Sequence, residues 1–415
     1  MEPADESVDV AIIGGGMVGA SLAEMLAPLG LRVALIEAQP VESTAQPSFD
    51  ARTTALSNGT RRILETMGLW DSLAAAATPI RSIHISERGR FGRAVIDARE
   101  QGLPAMGYVL PNRALGHELW RRLRSRAGTR ILSPATVEGV TATGGAGRVA
   151  VRQGDRSSTV EARLIVAADG ANSLVRTGAG VGLARRDYEQ TAIVTSVSPG
   201  KFHDHVAYER FTTDGPIALL PLADGRCAVV LTLDPVAAQA ALALPDADFL
   251  ALIQERFGWR LGAFSTLGRR DAYPLALTEA QENVAPRTVL IGSAAQGLHP
   301  IAGQGFNLAL RDAATLADVI ADAATGPSPD VGAAEVLERY AAWRERDRRV
   351  LISFTDGLVR LFAAGIGPLR FARSLGLLAF DVSPAAKAAM SGLSRGFAGA
   401  QPRLARGLPL RAETP

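Results

Sequence analysis

The sequence predicts an α/β fold in which a domain built on a parallel sheet is interleaved with a mostly antiparallel β-sheet domain and followed by a helical C-terminal tail. Three observations carry this expectation. The first 37 residues read as strand, glycine-rich loop, helix and second strand. Two later strand-to-turn segments, near residues 164–176 and 289–308, have the same buried apolar character. Between these segments the pattern turns to the alternation of half-buried strands. At 415 residues the chain has room for two or three domains of about 150 residues each.

Composition narrows the function. With 47% hydrophobic and 21% charged residues, the chain is neither disordered nor collagenous. A formal net charge of +2 supplies no basic field for nucleic acid. Nearly all the positive charge is arginine, since Lys201 and Lys387 are the only lysines. The one cysteine, Cys227, excludes an internal disulfide and cysteine-based metal sites, and fits a core position in a reducing compartment. No run of 18 apolar residues predicts a membrane span, and the acidic stretch Met1 to Asp9 is unlike a signal peptide. A cytoplasmic protein is the expectation.

The first unit is the most informative. Val8 to Ile13 is a β-branched, apolar run suited to a buried parallel strand. Gly14-Gly15-Gly16-Met17-Val18-Gly19 follows and fits G-x-G-x-x-G. A helix is predicted from about Val18 to Leu29, with Gly30 as its stop. A second strand, Arg32 to Ile36, ends at Glu37, 18 residues beyond the last glycine. Gly14 allows the tight turn, Gly16 lets the backbone approach a pyrophosphate, and Gly19 lets helix and strand pack closely. Free N–H groups at the helix start favour phosphate, with Met17 and Val18 in that first turn. Glu37 is placed to accept from a ribose diol.

The second segment is a strand, Leu164 to Ala168, ending in Asp169-Gly170 and then Ser173-Leu174-Val175-Arg176. By itself it is a turn at a strand end. The third is a strand, Val289-Leu290-Ile291, followed by Gly292-Ser293-Ala294-Ala295-Gln296 and Leu298-His299-Pro300-Ile301-Ala302-Gly303-Gln304-Gly305-Phe306-Asn307. A helix from about Phe306 to Ala321 is predicted to follow.

Together, in order and spacing, the three segments resemble the fingerprints of the FAD-dependent aromatic hydroxylases, the p-hydroxybenzoate hydroxylase-like group. The resemblance runs from about Val8 to Asp312. It implies a glutathione-reductase-type Rossmann FAD domain, discontinuous over residues 1–79, 100–184 and 274–330, with a substrate domain over 80–99 and 185–273. It also implies that Asp169 and Gly170 lie near the pyrophosphate, and that Gly303, Gln304, Gly305, Phe306 and Asn307 wrap the flavin ring. Arg52 and Arg113 carry over as FAD contacts. Where the group usually has Asp and His, this chain has Ser293 and Gln296. Ser293 keeps hydrogen-bonding capacity toward a ribityl or phosphate oxygen but lacks the charge. This variant, with Phe49-Asp50-Ala51-Arg52-Thr53-Thr54-Ala55-Leu56-Ser57, resembles the UbiH-type branch of the ubiquinone-biosynthesis hydroxylases.

The implied activity is hydroxylation of a polyprenylated phenol, such as 2-polyprenyl-6-methoxyphenol, through a flavin hydroperoxide. NADPH or NADH is the transient reductant and dioxygen the co-substrate. No second glycine fingerprint for the nicotinamide is visible, as in that group. No residue is identified as catalytic base; His299 and Pro300 are the candidate catalytic residues, in the flavin-facing loop. For His299, loop hydrogen bonding and contact with substrate are both open. Two rivals stand beside this reading: a non-catalytic FAD-binding scaffold within a ubiquinone-biosynthesis complex, motivated by Ser293, and another flavin oxidoreductase of the same fold. The isolated Trp70, Trp120, Trp259 and Trp343 count against a halogenase, whose Trp-x-Trp element is missing.

Strands are predicted over Ile80–Glu87, Thr191–Val197, His205–Phe211, Ile217–Leu222 and Arg226–Leu233, the last two joined at Asp224-Gly225. His203-x-His205 is too small a set for a metal site, and surface-loop histidines are expected. The tail, 331–415, opens with a long helix from about Ala333 to Ala363 carrying a stripe of Leu351, Phe354, Leu358, Leu361 and Phe362. From Arg339 onward there are 13 basic and 5 acidic residues. Either this is a solvated basic face, or it rests on the anionic inner face of the cytoplasmic membrane.

Overall fold

The structure, a computed structural model, describes residues 6–41, 52–90, 92–143, 145–300, 303–326, 329–363, 381, 383 and 399–411. Phe49, Asp50 and Ala51, Ile301 and Ala302, and most of the basic tail beyond Ala363 lie outside the described residues. The side chains of Leu358, Leu361 and Phe362 lie outside them too.

The chain runs β1 (Glu6–Ile13), α1 (Met17–Leu26), β2 (Val33–Ile36), β3 (Thr53–Ser57), α2 (Asn58–Thr66), α3 (Trp70–Leu73), β4 (Thr78–Ile80), β5 (Ser82–Glu87), β6 (Arg93–Asp97) and β7 (Gly107–Pro111). It continues through α4 (Asn112–Leu123), β8 (Thr129–Leu132), β9 (Thr136–Thr143), β10 (Ala146–Gln153), β11 (Arg156–Ala167), α5 (Leu174–Gly178), β12 (Leu183–Pro199), β13 (Val206–Phe211), β14 (Ile217–Pro221) and β15 (Cys227–Leu233). The last stretch holds α6 (Pro235–Leu242), α7 (Asp246–Phe257), β16 (Phe264–Leu267), β17 (Asp271–Ala280), β18 (Val284–Ala285), β19 (Thr288–Leu290), β20 (Gln296–Gly297), α8 (Gln304–Thr325) and α9 (Ala334–Ala363).

The first sheet has the order β18-β19-β11-β1-β2-β8. The five strands from β19 to β8 are parallel. The sequence explains this: β1, β2 and the end of β11 are apolar on both faces, as parallel strands covered on both sides must be. Val10, Ile12 and Leu35 join a core with Leu22 and Leu26 of α1, Trp120 of α4 and Leu310 and Leu316 of α8. Ala11, Ile13 and Ile36 face a second core with Val149, Val151 and Val175. Strand order reverses between β1 and β11, the switch point where such sheets bind ligands.

The second sheet has the order β20-β17-β12-β15-β14-β13-β5-β6, with β16 also on β12. It is antiparallel except where β13 runs parallel to β5. Helices α6 and α7 cover one face: Phe249, Ile253 and Phe257 pack on Tyr208, Leu219, Val229 and Leu231. Cys227 lies in this core, 1% exposed, as expected. The fold is therefore the α/β arrangement with an interleaved, mostly antiparallel second sheet and a helical C-terminal region. Pairing keeps all of β17 in the second sheet, so the return to the first layer falls after Ala280 rather than at residue 274.

Three local features differ from expectation. Strands β3, β7 and β4 form a small antiparallel sheet between the layers. Its partners lie about 30 to 58 residues apart, so no local pattern announces it. Helix α4 begins at Asn112, placing Arg113 in its first turn. His203 is not a surface histidine. It is 1% exposed, its Nε2 lies 3.0 Å from Leu222 O, and its Nδ1 accepts the His205 N–H at 3.1 Å. The pair fixes a sharp bend in which Asp204 and His205 have φ of 48° and 61°.

Candidate active site

Three loops meet at the C-terminal ends of β1, β11 and β19. Gly14 leaves β1 with φ of 101°, and a Cβ there would stand 2.3 Å from Ala168 O. A Cβ at Gly19 would stand 2.0 Å from Gly14 O and 3.2 Å from the Ala168 Cβ. These two glycines let β1, α1 and the end of β11 close on one another. Gly16 is different: a Cβ would meet nothing within 4 Å. It is the N-cap of α1, no side chain caps the helix, and the first turn carries no acid. The N–H groups of that turn are left for a ligand.

Glu37 is 7% exposed and lies beneath this loop. Its Oε2 accepts from Gly15 N at 2.7 Å and its Oε1 from Gln39 N at 2.8 Å. The carboxylate expected to meet a ribose thus also holds the loop. The Trp120 ring packs under Gly15, where a Cβ would come within 2.6 Å of it. Nothing local in the sequence marks Trp120 for this place.

Asp169 caps α5, its Oδ2 accepting from Leu174 N at 2.9 Å and Val175 N at 3.3 Å. Its Oδ1 is buried with no hydrogen-bond partner among the described residues. Gly170, with φ of 87°, turns the chain away. Ser173 Oγ accepts from Arg176 N, and the buried Arg176 guanidinium donates to Ala294 O at 3.1 Å. The second loop is thereby tied to the third. Gly292 approaches α1 closely, a Cβ there lying 3.5 Å from both Val18 methyl groups.

Ser293 is exposed, whereas Gln296 is buried and donates from Nε2 to Asp312 Oδ2 at 2.6 Å. Asp312 Oδ1 in turn accepts from Arg344 Nε at 2.7 Å. Gln296, the residue departing from the usual His, links the third loop to α8 and α9. His299 is 1% exposed, and burial pushes its pKa down to about 4. The neutral ring sits edge-on to Tyr188, with Nε2 3.2 Å from Gln190 Oε1. The ring therefore ties the loop to β12. Pro300 is exposed and its carbonyl accepts the Gly303 N–H at 2.9 Å.

Gly303 has φ of 59° and begins α8 against Ala55, 3.0 Å from a Cβ built on it. Asn307 uses its whole amide. Its Oδ1 accepts from Ser57 N and Thr60 Oγ1, and its Nδ2 donates to Ala55 O and Gly303 O, all within 2.9 Å. It positions the loop instead of presenting a free group. Gln304 is buried, Phe306 packs on the first core as Met17 and Val18 do, and a Cβ at Gly305 would meet nothing. The Arg52 guanidinium lies over the Tyr273 ring at 5.0 Å. Arg113 is exposed one residue beyond Asn112, whose N–H donates to Arg52 O.

The second sheet supplies the facing wall. Gln190, Ala192 and Val194 of β12, Val230 of β15, Ala218 and Leu220 of β14 and Ile83 of β5 lie on the face opposite α6 and α7. Most are half-buried. Gln190 meets His299, and Tyr273, paired with Ala192, meets Arg52. This apolar face therefore looks onto the loop cluster. A separate surface pocket, lined by Val284, Arg287, Leu337 and Glu338, lies at the start of β19, the opposite end of the first sheet.

The residues fit a flavin dinucleotide: an uncapped helix start, open space at Gly16 and Gly305, and an unpartnered Asp169 oxygen all belong to the loops at the C-terminal ends of β1, β11 and β19. Among the described residues, no cluster of three or more His, Cys, Asp or Glu could hold a metal. A dinucleotide cradle at the switch point, facing an apolar sheet, defines a FAD-dependent flavoprotein of the monooxygenase class. The comparisons agree. The p-nitrophenol 4-monooxygenase PnpA of Pseudomonas putida has this fold, with a TM-score of 0.78 at 20% identity over 95% of this chain and all of that one. The ubiquinone hydroxylase UbiL of Rhodospirillum rubrum is 38% identical across 98% of this chain and 94% of that protein. The 3-demethoxyubiquinol 3-hydroxylase of Escherichia coli is 33% identical across 91% and 95%. The chain belongs to the FAD binding domain family, whose model matches residues 7–354, and it is an aromatic hydroxylase of that family.

Proposed function

We propose that this protein hydroxylates a polyprenylated phenol of ubiquinone biosynthesis, using FAD, NADPH or NADH, and dioxygen. One observation carries the reading: the three loops at the switch point face an apolar sheet wall, so a cofactor and a greasy aromatic ring share one dry cleft. The similarity to ubiquinone hydroxylases in two bacteria supports the substrate class. The cofactor supplies oxygen activation when bound.

The chain's own residues bind, orient and exclude water. The α1 N-terminus and Asp169 hold the pyrophosphate side, with Glu37 on the ribose. Gly303, Gln304 and Gly305 offer backbone to the ring, and the start of α8 favours negative charge on it. Met17, Val18, Ser293 and Phe306 complete the cradle, with Arg52 and Arg113 at its mouth. The apolar face of the second sheet excludes water from the reacting ring. His299 stays neutral and fixes the loop against β12. The basic C-terminal region would bring the protein to an anionic membrane surface, where a polyprenyl chain resides. No helix among the described residues is long and apolar enough to cross a membrane.

The test has two parts. The purified protein should be yellow and consume NADPH faster when a prenylated phenol is added. Cells lacking it should accumulate one defined phenolic quinone precursor. A colourless protein that rejects added FAD, or an unchanged set of quinone intermediates, rejects the reading.

A further inference from the structure

An acid stands in the middle of the apolar wall. Glu209 lies in the middle of β13, opposite Ala218 of β14 and Ile85 of β5. Alternation puts it on the same face as Ala207, which packs with Met106 and Val109 of the sheet between the layers. Following the register across the sheet, Glu209, Ala218, Val230 and Val194 form one row, which ends three strands beyond Ala218 at Asp271 of β17, paired there with Arg269. Val194 is four residues from Gln190, the partner of His299, so that row crosses the face that looks onto the flavin loops.

Glu209 is half-buried, and among the described residues it makes no hydrogen bond or ion pair. Charged groups nearby belong to the other face. His84 and Arg210 point with Tyr208 toward α7, as their pairing and alternation require. On β14, β15 and β6 the same-face neighbours are apolar. On β5 the single ionisable one is Glu87, opposite Phe211 and one pleat along. An acid with no partner in an apolar wall is costly to keep there. Burial alone pushes its pKa up to about 7. Such a group is half ionised at neutral pH, where a general base works best.

We propose that Glu209 is the general base of the hydroxylation, accepting the phenol proton as oxygen is transferred to the ring. The phenol O–H bond breaks, its electron pair stays on the phenol oxygen and activates the ring carbon, and the proton passes to the Glu209 carboxylate. A phenol in water titrates near pH 10, so an unassisted ring would be mostly protonated and sluggish at pH 7. The idea rests on the hydroxylase reading and adds the residue that moves the proton.

The experiment uses full-length, FAD-loaded protein, NADPH and a short-chain prenylated phenol, with product, phenol affinity and FAD content measured from pH 5.5 to 9.5. For the native protein, kcat/KM should rise through about pH 7. Glu209→Gln should lower it by about 100-fold at pH 7.5, erase that rise, and give a residual rate climbing toward the ionisation of the phenol itself. FAD content and phenol affinity should change little, and Glu209→Asp should recover part of the rate. Glu87→Gln should keep the native pH profile. A native hydroxylase whose Glu209→Gln variant keeps its rate and its pH profile overturns the base alone. Native protein that hydroxylates no phenol overturns the enzyme reading and this proposal with it.

Discussion

The buried Glu37 carboxylate accepts the Gly15 N–H at 2.7 Å, so the acid that ends β2 is bolted to the loop that ends β1. Its other oxygen takes Gln39 N. Glu37→Ala strips two N–H groups of their acceptor, and an unsatisfied buried donor costs about 1–3 kcal/mol. Thermal melts of the FAD-free protein should drop by several degrees, and FAD titration should show weaker binding. Weaker FAD binding with an unchanged melt would contradict the anchoring role.

The glycines of the loop separate space for the fold from space for the ligand. Gly19→Ala drives a methyl into Gly14 O and should destabilise the protein with or without FAD. Gly16→Ala meets nothing in the chain, so the FAD-free melt should stay put while FAD affinity falls at least about tenfold, or about 1.4 kcal/mol. Differential scanning calorimetry with and without FAD distinguishes the two.

Asn307→Ala removes four hydrogen bonds, three of which join α8 to β3 and α2. At about 1 kcal/mol net each, stability should fall by roughly 3–4 kcal/mol in urea unfolding. Asn307→Asp keeps the acceptor but repels at Ala55 O and Gly303 O, and should recover less than half of the loss.

Arg344 and Asp312 are each 1% exposed, and Arg344 also bonds Asp347. Arg344→Met leaves the buried Asp312 without its cation, while Asp347 keeps Arg311, a change of about 3–5 kcal/mol. Because Asp312 holds Gln296, the variant should also release FAD faster in a dilution assay. Stability loss with unaltered FAD release would break the link between α9 and the third loop.

The buried His299 and the half-buried Glu209 tilt stability with pH in opposite senses. His299 has a folded pKa of about 4 against 6.5 unfolded, so its contribution is full above pH 6.5 and is lost as pH falls toward 4. Glu209 has a folded pKa of about 7 against 4.5, so its penalty is absent below pH 4.5 and complete above pH 7. His299→Gln should flatten the acid limb of a melting-temperature profile. Glu209→Gln should stabilise the protein at pH 8 by on the order of 2 kcal/mol, read as a higher melting temperature, and leave it unchanged at pH 4.5. The reverse pattern would show that neither side chain is enclosed as described.

The three loops were legible because each is local: a few glycines with fixed jobs beside an apolar strand. The strands and long helices followed from periodicity for the same reason. Glu209 was not legible, since its importance depends on which face of β13 meets the other layer, and that is decided by β5, β14 and β7 together. Asn307 sat in a recognised loop, yet its saturation by Ser57, Thr60 and Ala55 needs contacts some 250 residues away. Two histidines at positions 203 and 205 looked like loop decoration because the Leu222 carbonyl that buries one of them arrives from another strand.

The path of the chain between the two sheets has a practical consequence. It leaves the first sheet after β2, returns for β8 to β11, leaves again for β12 to β17, and returns for β18 and β19. No single cut separates the strands of one sheet from those of the other. Melting should therefore be a single all-or-none event, and protease should produce no stable half. Splitting such a protein for reassembly, or moving its catalytic wall onto another scaffold, would require rewiring the backbone instead of trimming it.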